Sequence, residues 1–135
     1  MQHPTPGETN LSVLLRSANP ILQEGKYVFC TLPDLAGVDQ ENLIGYFREK
    51  EGITVILAQN AADALSLPYA FIAAWITLTV HSSLAAVGLT AAFSTALAKA
   101  QVSCNVIAAY YHDHIFVPYE DRDIAMEVLS SLADF

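Results

Sequence analysis

Ile76-Thr-Leu-Thr-Val-His-Ser-Ser-Leu-Ala-Ala-Val-Gly-Leu-Thr-Ala-Ala-Phe93 is the stretch whose reading decides the fold. Ile76, Leu78 and Val80 alternate with Thr77 and Thr79, the period-two pattern of a strand with one buried face. A polar patch of His81, Ser82 and Ser83 follows. Beyond it Leu89, Phe93, Ala96, Leu97 and Ala100 make the stripe of an amphipathic helix. A strand that turns into a helix aims backbone N–H groups at the crevice past the strand end, where open sheets hold ligands.

Outward from this unit, Val102–Tyr110 reads as a strand and Ile115–Pro118 as another, joined by Tyr111-His112-Asp113-His114. Asp121 is placed to cap a last helix, with Ile124, Val128, Leu129 and Leu132 facing inward. The order is β-α-β-β-α, one strand short of a ferredoxin-like β-α-β-β-α-β unit. A strand from the first half is expected to complete it, so the halves interlock.

In that first half, Met1–Asn10 reads as a flexible arm. Leu11–Arg16 is strand or helix by periodicity alone. Lys26–Leu32 is rich in β-branched and aromatic residues and ends at Pro33, which gives a strand. Asp39 is a candidate N-cap for a helix with Leu43, Ile44 and Phe47 on one face, stopped at Gly52. Ile53–Ala58 is a strand, and Asn60 caps a short helix, Ala61–Leu65, before Pro68. The resulting organisation is an arm at 1–10, an N-terminal half at 11–68 and a C-terminal half at 69–135.

Composition narrows the function. The chain of 135 residues is 53% hydrophobic and 15% charged, which excludes disorder and leaves few residues to solvate the outside. A homo-oligomer, most simply a dimer, is expected. With 14 acidic against 6 basic residues and a net charge of −8, no cationic cluster exists to neutralise phosphates, so nucleic acid is not a partner. No uninterrupted apolar run reaches the ~20 residues of a membrane span, and Met1–Glu8 has no apolar core for a secretory leader. Cys30 and Cys104 sit apart in apolar runs, as buried thiols of a reducing cytoplasm do.

These residues resemble a known family. The Ile76–Phe93 run is similar to the start of an ACT domain, as is Asn105-Val-Ile-Ala-Ala-Tyr-Tyr-His-Asp-His-Ile-Phe-Val-Pro118. Together with Glu24-Gly-Lys-Tyr-Val-Phe-Cys-Thr-Leu-Pro33 and Phe47-Arg-Glu-Lys-Glu-Gly52, the whole chain resembles an uncharacterised bacterial family of small tandem ACT-like proteins. The resemblance implies an α+β fold of tandem ferredoxin-like (βαββαβ) modules with antiparallel sheets. It also implies a regulatory module that senses small molecules, typically amino acids, with no cofactor and no catalysis. Carried over by position, the ligand loop is Thr79, His81, Ser82, Ser83 and Leu84, with Gly88 at the helix start. Asp113 matches an acidic residue in the hairpin before the third strand.

The chemistry of these positions can be weighed directly. Ser82 and Ser83 read first as simple helix caps, with a carboxylate held by their hydroxyls and N–H groups as the functional alternative. Asn105, polar among apolar neighbours, is a ligand contact or a structural pair. His112 and His114, with His81, could supply the three nitrogens of a zinc site, but no His-Glu-x-x-His motif is present. Metal binding is the outsider. The chain has no Gly-x-Ser-x-Gly elbow, no Gly-x-Gly-x-x-Gly and no P-loop. A binding module is therefore favoured over an enzyme, with an interaction module carrying a vestigial pocket as the alternative. Trp75 reads as a half-buried strand aromatic, although its outward parity with Thr77 and Thr79 would also suit a subunit interface.

Overall fold

The structure is a computed structural model and describes residues 11–79 and 88–132. The elements are α1 (Leu11–Ser17), β1 (Pro20–Leu22), β2 (Tyr27–Leu32), β3 (Leu43–Arg48), β4 (Ile53–Ala58) and α2 (Gln59–Ala64). They continue with β5 (Ile72–Leu78), α3 (Leu89–Lys99), β6 (Asn105–Ala108), β7 (Asp113–Pro118) and α4 (Arg122–Ser131). Contacts divide the described chain into two compact units. Glu24–Ala74 form one; the residues up to Gln23 and those from Trp75 onward form the other.

Glu24–Ala74 form a sheet in the order β3-β4-β2, with the start of β5 beside β2. β2 pairs antiparallel with β4 along its length, from Tyr27↔Ala58 to Leu32↔Ile53. Val28, Cys30, Ile53, Val55 and Leu57 face Ala62 of α2 in a buried core. The expected helix over 39–52 is absent. Asp39 does cap, accepting from the Glu41 N–H at 3.1 Å, but only a 3-10 turn at Gln40–Asn42. Leu43–Arg48 then extends into β3 and pairs with β4, with a register irregularity between Leu43 and Gly45. Its bulky residues fit a pleated surface as readily as a helix face, and an open β4 edge decides the matter. Gly52 closes the β3–β4 hairpin, its carbonyl accepting from the Glu49 N–H at 2.9 Å. A Cβ there would lie 2.9 Å from Thr31 Oγ1. The short helix starts at Gln59, so Asn60 lies in its first turn and Ala58 holds the cap position.

The other unit has the order β1-β5-β7-β6. The strand borrowed from the first half is β1, antiparallel to β5 through Pro20↔Leu78, Ile21↔Thr77 and Leu22↔Ile76. β6 and β7 pair antiparallel from Asn105↔Phe116 to Ala108↔Asp113. With α3 and α4 on one face this is the βαββα set completed by a strand from elsewhere in the chain, as expected. Leu89, Phe93 and Leu97 of α3 are buried, as are Ile76, Leu78, Ile115, Val117, Ala125, Leu129 and Leu132.

Three expectations here need correction. Ile124 is 47% exposed, and Ala125 takes the inward place, because the stripe leading to Leu129 steps back by four residues. Asp121 precedes α4 but makes no side-chain capping bond. The strand predicted over 102–110 is confined to Asn105–Ala108 because the preceding residues terminate α3. Gln101 adopts φ 62°, its N–H donates to Ala98 O at 2.9 Å and the Val102 N–H donates to Leu97 O at 2.9 Å. This is a Schellman ending. α2 ends the same way, with Ser66 at φ 55° and the Leu67 N–H on Ala62 O at 2.9 Å.

Candidate functional site

The site expected at the β5 exit is partly in view. Thr79 leaves β5 tied to Asn19, whose carbonyl accepts from Thr79 Oγ1 at 3.1 Å and from its N–H at 3.4 Å. His81, Ser82, Ser83 and Leu84 lie outside the described residues. The helix that follows begins at Leu89 with Gly88 as its N-cap, so Ser82 and Ser83 are not the caps of α3. Gly88 sits at φ 97°, a conformation that side chains other than glycine's rarely tolerate.

Asp113 starts β7. Thr77 touches His114 while Trp75 stacks on Phe116, so β5 and β7 run in opposite directions. Asp113 therefore lies at the same end of the sheet as the Thr79 exit. Its side chain is 6% exposed. Burial raises its pKa above the usual carboxylate value, against the pull of His114 and His112. Next to it, His112 Nδ1 is buried without a hydrogen-bond partner among the described residues. A buried polar atom left this way is a candidate for a ligand or a water.

Asn105 is not brought to this cluster. It pairs with Phe116 and donates from Nδ2 to the Phe116 carbonyl at 3.2 Å. Ala108, by contrast, faces Asp113. Asn105 thus stands three steps back along the edge strand, about 10 Å away at ~3.3 Å per residue. Among the described residues no group of three or more ligating side chains forms, and His81, the third nitrogen of the metal reading, lies outside them. His114 Nδ1 is already engaged by Trp75 Nε1 at 3.0 Å.

A groove of about 780 Å³ runs along the helices instead, lined by Gly88, Ala92, Ala96, Val128 and Leu132 with Lys99 among its walls. It is mostly apolar, with Thr95, Lys99 and Ser131 as its polar side chains. The hydrogen-bonded group around His114 escaped the sequence reading. Trp75 and Thr77 were legible as one face by alternation, but Gln23 was not, because β1 has only three residues and no strand pattern.

Comparison with known proteins gives a consistent picture. One family model described as an ACT domain matches residues 6–74, and a second with the same description matches residues 71–131. Among solved structures, a Vibrio cholerae protein of unknown function, described as a possible transport protein, is 46% identical. The match covers 91% of this chain and 95% of that one, with a TM-score of 0.82. The ligand-free regulatory subunit of aspartate kinase from Thermus thermophilus matches at 9% identity, covering 86% and 98% of the two chains with a TM-score of 0.57. An Agrobacterium tumefaciens protein matches at 12% identity, covering 84% and 87%, with a TM-score of 0.63. The latter two show the fold. No curated protein matches the chain.

Proposed function

Because the chain belongs to the ACT-domain family and carries two such modules in tandem, we propose that it is a cytoplasmic sensor of an amino acid without catalytic activity. The observation that carries this reading is Asp113. A carboxylate only 6% exposed is costly to keep. Among the described residues, the titratable side chains that pull against this burial are His114 and His112, and no Lys or Arg does so. A ligand ammonium would supply the missing counter-charge. The ligand carboxylate would then face the loop between Thr79 and Gly88, with Ser82, Ser83 and the start of α3 as donors.

The test is a thermal-shift screen of the protein against single amino acids, with Asp113→Asn beside the wild type. One ligand should raise the wild-type midpoint, since ~100-fold saturation adds about 2.7 kcal/mol, and the variant should lose that response. A flat panel would favour the alternative, an interaction module. That alternative draws on the exposed edge of the second sheet, where Ile107 is 38% and Tyr110 53% exposed. On either reading the partner is a second copy of this chain. From Ala100 to Tyr111 there is no charged residue, so two copies can approach there despite a net charge of −8.

A further inference from the structure

The sheet face away from α3 and α4 holds a group that ligand binding does not use. Gln23 Nε2 donates to Thr77 Oγ1 at 3.1 Å, and Thr77 Oγ1 lies 3.2 Å from His114 Nδ1. Trp75 Nε1 donates to that same Nδ1 at 3.0 Å. The indole lies over Phe116, centroids 6.1 Å apart and planes within 17°, and leaves Phe116 only 1% exposed.

An indole N–H only donates, so Nδ1 must offer a lone pair and His114 is neutral with its proton on Nε2. If the ring takes up a second proton from water, Nδ1 becomes a donor and the Trp75 bond cannot persist. Thr77 Oγ1 has two lone pairs, one used by Gln23, and at 3.2 Å it can accept from the new N–H. The ring thus has an alternative bond for each charge state without leaving its place.

We propose that His114 is a proton-operated latch, which holds Trp75 to β7 when neutral and exchanges that bond for one to Thr77 when charged. Burial keeps the ring below the ordinary histidine pKa, with His112 acting in the same direction and Asp113 opposing. No other titratable group faces it among the described residues. The elements beside it present Trp75 and Thr77 from β5, Gln23 after β1, and Ile107 and Asn105 from β6. The latch is therefore closed at neutral pH and opens in acid.

Trp75 is the chain's one tryptophan, so a single indole N–H resonance reports the bond. As pH is lowered from about 7.5 until the His114 ring titrates, it should move upfield and exchange faster with water. In His114→Gln, whose amide oxygen accepts at any pH, the resonance should stay fixed. In Trp75→Phe, with the donor gone, the His114 ring should titrate at higher pH. The latch is refuted if the wild-type indole is unmoved while the ring titrates, if the shift survives in His114→Gln, or if the chain unfolds before the ring titrates. An unshifted ring titration in Trp75→Phe refutes it equally.

Discussion

Asp113 couples stability to binding in a way that one substitution can separate. Its folded pKa is raised above the value of an unfolded aspartate. Its contribution to stability is therefore fully present below the unfolded pKa and is lost as pH rises through the folded value. At neutral pH the charge is a burden, and Asp113→Asn should melt higher than the wild type while losing the ligand-induced shift. The gain should vanish in strong acid, where both forms are neutral. A pair of melting curves at neutral and acid pH checks this. His114 has the opposite sign. Its lowered pKa leaves stability intact above about pH 6.5 and erodes it as pH falls from there to the folded pKa. His114→Gln should flatten that part of the stability profile.

At the scale of elements, two helices end on residues that are poor choices for the job. Ser66 at φ 55° and Gln101 at φ 62° hold the left-handed position of a Schellman ending. That position costs an L-residue about 1–2 kcal/mol. Glycine relieves the cost but loses roughly 0.5–1 kcal/mol in unfolded-chain entropy. Ser66→Gly and Gln101→Gly should each stabilise by about 0.5–1 kcal/mol, read from denaturant midpoints at unchanged slope. The same endings explain where sequence reading stopped short. Strands β2, β4, β7 and the second half of β5, with helix α3, are legible from apolar and β-branched runs or a helical stripe, whereas the start of β5 at Ile72 precedes the alternation that marks it. Val102 was assigned to a strand because its apolar side chain continues β6's pattern, whereas its N–H is committed to Leu97 of the helix. Leu43–Arg48 carried both periods at once, and only the β4 edge could choose between them. Of the candidate site, Thr79 and Asp113 come from the strand–helix unit and the hairpin, and the opposite directions of β5 and β7 set them at one end of the sheet. Asn105, open in the sequence between a ligand contact and a structural pair, stands back from them through a hairpin register that sequence does not display.

At the scale of the whole molecule, the edge strands β3 and β6 are protected unequally. β3 ends in Arg48-Glu-Lys-Glu51, with Arg48 lying 5.6 Å from the Tyr46 ring and an irregular register near its start. Charges and bulges of this kind blunt an edge against further pairing. β6 carries neither. Ala109 donates to His112 O at 3.1 Å, so by alternation the main-chain groups of Val106 and Ala108 point away from β7. Ala108→Pro removes one of those outward donors, and Ile107→Lys sets a charge on the edge. Light scattering behind size exclusion should find the wild type as a dimer and both variants as monomers, with unchanged circular dichroism. A monomeric wild type would remove the reason offered for so few charged residues.

β1 has a consequence for how the protein is made. Pro20–Leu22 leave the ribosome early, yet their partner β5 is synthesised some fifty residues later. Glu24–Ala74 can close while the chain is still growing. β1 is thus held in waiting, and its module can be sealed only when α4 has emerged. A permuted chain that begins at Glu24 and carries β1 after α4 would remove that wait. It shortens the separation between β1 and α4 but leaves β1 and β5 about as far apart as before, so it should refold only slightly faster than the natural order.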